Sequence, residues 1–169
     1  LLPDIRALRA EVRSLGLWGP NLPREYGGLG LDLVAHGLVS EALGRCPLGH
    51  YVFGVNAPDA GNAELLHMHG SEAQKAAWLA PLARGEIRSC FGMTERDNSG
   101  ANPLMLEARG ELAGGEWVLN GRKWFTTGAD GASLCIAMVV TDPDAPPHKR
   151  ASMILVPTST PGYRLERNT

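Results

Sequence analysis

Apolar residues recur at helical spacing through the first half of the chain and at alternating spacing through the second. Ile5, Leu8, Val12 and Leu15 follow Pro3-Asp4 on one helical face, which predicts a helix closed by Gly16 as a left-handed cap. From Trp18 to Gly30 glycine and proline punctuate the chain, the mark of tight turns. A second helix is predicted over residues 32–45, with Asp32 as N-cap and Leu38, Val39, Ala42 and Leu43 turned inward. Shorter helices are expected over 48–56 and 59–68. Ser71 and Gln74 hold capping-box spacing and open a helix to about residue 80, which Pro81 should end or kink.

After Glu86 the period changes, and strands are predicted over 89–94, 104–112, 117–119, 122–127, 133–141 and 152–157. Asn120-Gly121 carries the signature of a two-residue type I′ turn between two of them. The unbroken apolar run 135–140 predicts a central strand covered on both faces, and the Pro- and Asp-rich 142–149 a surface loop. Helices followed by strands define an α+β protein. The expected division is an all-α helical domain over 1–87 and an antiparallel β-barrel-like domain over 88–169.

Composition narrows the function classes. Among 169 residues, 44% are apolar and 20% charged, enough for a packed core. A net charge of −2 directs the protein toward neither nucleic acid nor an anionic membrane. No apolar run reaches the length of about 18 residues that a membrane-spanning helix needs. Cys46, Cys90 and Cys135 form no C-x-x-C pair, which argues against a zinc knuckle or disulfide framework and for a reducing compartment. The chain begins without Met, so processing or missing upstream residues are expected.

Some tempting chemistry fails on inspection. Gly28-x-Gly30 would need a third glycine where Leu33 stands, and no strand precedes it, so the dinucleotide fingerprint gives way to a structural turn. His67 and His69 lie two apart on a helix and face different sides, without a third ligand, and no metal is expected. Two segments are more informative. One is a strand ending in Met93-Thr94-Glu95 and passing into a Gly-, Ser- and Asn-bearing loop up to Pro103. Exposed amides and a hydroxyl there can hold a planar heterocycle or a phosphate, although polar loops are also ordinary surface. The other runs from Asn120 to Gly128, where Trp124 and Phe125 precede Thr126 and Thr127. A flat apolar face beside hydroxyl donors suits a flavin ring; packing of the aromatics in the core is the alternative.

Taken together, the motifs resemble the acyl-CoA dehydrogenase family, with its strand end Thr-Glu-Pro, then Gly-Ser-Asp, then Asn-Gly-x-Lys-x-Trp-Ile-Thr. Here these stand as Met93-Thr94-Glu95, then Gly100-Ala101-Asn102-Pro103, then Asn120 through Thr127. Pro23 to Gly30, Gly70 to Lys75 and Trp78 to Leu82 resemble the family's helical domain, and Ser152 to Pro157 a later β-strand. Ala57 to Asn62 and the 142–149 loop resemble the branch of human members ten and eleven.

The resemblance implies FAD as cofactor and α,β-dehydrogenation of an acyl-CoA in fatty-acid or related acyl metabolism. The α-proton leaves to a base, the β-hydride goes to flavin N5, and electrons pass to an electron-transfer flavoprotein. By position, Phe91, Met93, Thr94, Gly100, Ala101, Phe125, Thr126 and Thr127 line the flavin, and Ala101 and Asn102 the substrate. Arg96, Ala101, Asn102 and Phe125 replace the family's Pro, Ser, Asp and Trp. The resemblance places the catalytic Glu on a C-terminal helical bundle beyond Thr169, so no catalytic residue is expected here and the chain alone is expected to be inactive. Homo-oligomerisation of the full-length protein is implied, in the bacterial cytoplasm, or in mitochondria for a eukaryotic source. Two other classes stay open: a non-catalytic flavin- or acyl-CoA-binding subunit completed by a helical partner, and an acyl-CoA oxidase or flavin monooxygenase on the same fold.

Overall fold

The computed structural model describes residues 3–100 and 102–168. The chain divides into two compact units, 1–88 and 89–169.

The first unit is helical. α1 spans Pro3–Ser14, α2 Leu33–Leu43, α3 Gly49–Val52 and α4 Asp59–His69. Asp32 caps α2 by accepting the Ala35 N–H at 2.8 Å, as its spacing requires. Ser71 and Gln74 form the full capping box at the head of α5, Glu72–Gln74. Pro81 does not interrupt the helical winding. The chain runs through a π-helical stretch, Lys75–Leu79, directly into α6, Ala80–Ala83. Ala80 donates to the Lys75 carbonyl five residues back, a wider winding of the kind that absorbs proline's missing donor.

Arg9 holds this unit's core from within. It is buried, lies 4.6 Å from the Trp18 ring and 4.7 Å from Tyr51, and donates to the Tyr51 carbonyl. Trp18 in turn donates its indole N–H to the Ala83 carbonyl at 2.7 Å, tying the turn region to α6. The glycine-rich turn folds onto itself: Leu29 and Gly30 donate to Gly19 and Leu22, and a Cβ at Gly28 would stand 2.1 Å from the Leu22 carbonyl oxygen. A further expectation is overturned in this unit. No residue of α2 is buried, and Leu38 is exposed; within this unit α2 packs against α3. Ser40 and His50 bridge that contact at 2.7 Å.

The second unit is a five-stranded sheet, which makes the protein α+β. β1 spans Ser89–Gly92, β2 Arg109–Ala113, β3 Glu116–Asn120, β4 Leu134–Val140 and β5 Ala151–Pro157. The sheet is open and mixed, not an antiparallel barrel. β4 is its centre, antiparallel to β5 but parallel to β1 and β2. Burial on both faces suits the unbroken apolar run of β4, and the long connection from β1 supplies the crossover that a parallel pair needs.

The hairpin turn is Gly114-Gly115 rather than Asn120-Gly121. Both glycines have positive φ (62° and 86°), which a type I′ turn demands at its two central residues. Gly121 serves close packing instead, since a Cβ there would stand 2.4 Å from that of Ala108. The strand expected over 122–127 does not form. Past Gly121 the backbone turns back toward β1, and Phe125 adopts a φ of 52°, incompatible with an extended chain. Among the described residues no helix is long and apolar enough to cross a membrane.

Candidate functional site

β1 runs out of the sheet at Gly92, and the chain continues as Met93, Thr94 and Glu95. The segment after β3 comes back to meet it. Trp124 donates its backbone N–H to the Thr94 carbonyl at 2.8 Å, and Lys123 extends its ammonium to the Met93 carbonyl at 3.1 Å. Gly92 makes room for this crossing, with the Lys123 Cγ 3.2 Å from where a Cβ would stand.

Glu95 is the hub beneath. Its carboxylate is 7% exposed and accepts from Lys123 Nζ at 2.7 Å and from the backbone N–H groups of Glu107 and Ala108 at 2.7 and 2.9 Å. Asn98 Nδ2 adds a longer contact of 3.4 Å. Burial alone would push this carboxyl up, but the Lys123 ammonium and the two backbone donors more than reverse it, holding its pKa below the ordinary carboxylate value. A carboxylate so committed is a structural anchor, not a base, because its lone pairs are already spent on donors.

The turn that follows Lys123 presents both aromatic and hydroxyl groups. Phe125 is 68% exposed and sits edge-on to Trp124, with ring centroids 5.4 Å apart. Its positive φ aims the ring outward, and the Thr127 N–H closes the turn on the Phe125 carbonyl at 2.9 Å. Among the described residues the hydroxyls of Thr94 and Thr127 bond to no protein group. Trp124 is instead half-buried, between the guanidinium groups of Arg96 and Arg167 at 5.8 and 5.3 Å.

The sequence-predicted residues are thus partly gathered. Met93 and Thr94 meet the turn that carries Phe125, Thr126 and Thr127. Phe91 lies in register with Ile136, on the face of β1 opposite to Cys90 and Gly92 and so away from the Lys123 crossing. Gly100 and Asn102 are exposed, and the Asn102 side-chain oxygen accepts from the Leu104 N–H at 3.1 Å, capping a short turn. Ala101 lies outside the described residues. Glu95 and Lys123 were absent from the predicted site. The signal that could have found them is a Lys directly before two aromatics and a Glu at an apolar strand end, charges that burial must pair.

An exposed ring and two hydroxyls without partners among the described residues, on a backbone held by the Glu95–Lys123 contacts, fit a planar heterocycle such as the flavin of FAD. The fold is similar to that of solved acyl-CoA dehydrogenases. A Mycobacterium abscessus structure described as of acyl-CoA dehydrogenase type matches with TM-score 0.94 and 42% identity, over 99% of this chain and 42% of that one. A glutaryl-CoA dehydrogenase of Mycobacterium smegmatis, solved in complex with FADH2, matches with TM-score 0.69 and 28% identity, over 96% of this chain and 47% of that one. Among curated proteins, mouse acyl-CoA dehydrogenase family member 11 is 41% identical over 96% of this chain.

Residues 3–86 match the acyl-CoA dehydrogenase N-terminal domain and residues 90–169 the middle domain. The chain belongs to the acyl-CoA dehydrogenase family. It spans 21% of the mouse protein and 41% of the probable acyl-CoA dehydrogenase FadE2 of Mycobacterium tuberculosis, to which it is 38% identical.

Proposed function

We propose that this chain carries the flavin-facing wall of an FAD-dependent acyl-CoA dehydrogenase. The observation that carries this reading is the meeting of Met93-Thr94 with the Trp124–Thr127 turn, through the 2.8 Å bond from Trp124 to Thr94. The Phe125 ring offers a stacking face, the Thr94 hydroxyl a partner for the pyrimidine edge, and the Thr127 hydroxyl a donor toward the ring nitrogen that receives hydride. By the family resemblance Gly100 belongs to the flavin side and Ala101 and Asn102 to the substrate side, and the Asn102 side-chain oxygen is already engaged by the Leu104 N–H. Bound FAD would supply the hydride acceptor and hand electrons on to an electron-transfer flavoprotein.

The acyl-CoA itself must lose an α-proton, and Glu95, saturated with donors, does not take it. By the family resemblance the base would stand on the C-terminal helical bundle, in the part of the family's length that this chain does not span. A homo-oligomer of the full-length protein would supply it. So would a complementing helical chain. The test is visible absorbance of the purified chain after incubation with FAD and desalting. Retained flavin that is lost on Phe125→Ala supports the wall. A colourless chain with an intact circular dichroism spectrum sinks it.

A further inference from the structure

We infer that Glu95 and Lys123 are positioning residues for the flavin-facing wall, holding its two halves in one relative placement. The inference rests on the flavin reading of that wall and goes beyond it, because neither side chain presents itself to the wall.

The two halves come from distant parts of the sequence and share little backbone. Met93-Thr94 leaves the sheet after β1, and the 122–127 turn has no ladder of its own. Among the described residues one backbone bond, Trp124 to Thr94, joins them directly. Besides the Arg96 guanidinium, which lies 5.8 Å from the Trp124 ring, the polar contact between them passes through Lys123. Its ammonium reaches the Met93 carbonyl at 3.1 Å on one side and Glu95 at 2.7 Å on the other. Glu95 then transmits the restraint to the backbone ahead of β2, through Glu107 and Ala108. One cation thus ties the strand end, the turn and the entry to β2 together.

The two side chains, Lys123 and Glu95, are 15% and 7% exposed, so water competes poorly for these bonds and neither charge is replaceable by a solvent molecule. The arrangement explains why the turn can support Phe125 at positive φ without a regular element beneath it: the conformation is imposed by its neighbours. The wall is built before any ligand arrives, and its precision depends on two groups that do not touch the ligand.

A structural ion pair and a positioning pair make different predictions when both charges are removed together. Lys123→Met alone leaves an uncompensated buried carboxylate, so it lowers both stability and FAD retention. The double variant Glu95→Gln with Lys123→Met removes that uncompensated charge, and stability returns toward the parent. It does not restore the hold on the Met93 carbonyl.

FAD binding, followed by quenching of flavin fluorescence, should therefore stay weaker by about tenfold or more in the double variant, which is about 1.4 kcal/mol. Hydrogen exchange of the Trp124 amide should stay accelerated while β4 and β5 keep their protection. Recovery of FAD binding and Trp124 protection along with stability would overturn the inference and leave the pair a structural one. A parent chain that takes up no FAD would count against the flavin reading, not this one. Trp124 exchange then decides alone: acceleration confined to 122–127 in both variants sustains the inference, and unchanged or uniform exchange overturns it.

Discussion

Phe125 is where local strain and exposure coincide. A non-glycine residue in the left-handed region costs about 1–2 kcal/mol, and here the ring it displays buries little in return. Phe125→Gly should therefore raise the thermal unfolding midpoint, by a gain of about 0.5–1 kcal/mol once glycine's own backbone entropy is charged against it. The same change should reduce FAD retention. A variant that loses stability would show that the ring packs against the protein rather than awaiting a ligand.

Glu95 makes a second residue-scale prediction. Its folded-state pKa lies below the unfolded one, so its contribution is fully present above the ordinary carboxylate value of 4.5 and is lost as pH falls through the folded value. Urea midpoints measured from about pH 6 to pH 3 should decline more steeply in the parent than in Glu95→Gln. Lys123 faces the carboxylate directly, while Arg96, Asp97, Glu107 and Arg122 line the open cleft beside it. Equal slopes in the two proteins would mean that those exposed charges, and not Glu95, carry the acid response.

At the scale of elements, the chain's turns and caps divide into replaceable and irreplaceable ones. Ser71→Ala removes one member of a capping box and should cost about 1 kcal/mol in a denaturant titration. Gly49→Ala is a different case. A Cβ there would stand 2.2 Å from the Leu43 carbonyl oxygen, so the α2–α3 connection itself must move. Loss of helical ellipticity well beyond the Ser71 effect is expected. Equality of the two would show that the connection has room to shift.

For the molecule as a whole, the buried centre of the sheet outweighs its rim. Ile136 is fully buried in β4, whereas Trp117 on β3 is 45% exposed. Ile136→Ala should cost about 2–5 kcal/mol, and Trp117→Ser much less, when unfolding of residues 89–169 is followed by hydrogen exchange. The apolar run 135–140 announced that contrast, because a strand without a polar side has to be covered twice. Strand direction was not announced. Alternation reports which face a side chain occupies and says nothing of whether the neighbour runs up or down, so β1 and β2 lie parallel to β4 against expectation.

What the sequence determined by itself is what depends on neighbours along the chain. The Asp32 cap, the Ser71–Gln74 box and the α+β order belong there, as do the family motifs at Met93-Thr94-Glu95 and from Asn120 to Thr127. Each is set by interactions within a few residues or by residue identity alone. Tertiary structure decided the rest. Asn120-Gly121 had the better local turn signal, yet the turn fell at Gly114-Gly115, because Gly121 is needed where the chain passes Ala108. It also decided that 122–127 leaves the sheet, since the buried Lys123 must find Glu95 and the Met93 carbonyl across 28 and 30 residues of sequence. No local pattern encodes such a pairing. A buried charge takes its partner from whatever the fold brings near, and that partner then sets the course of the backbone around it.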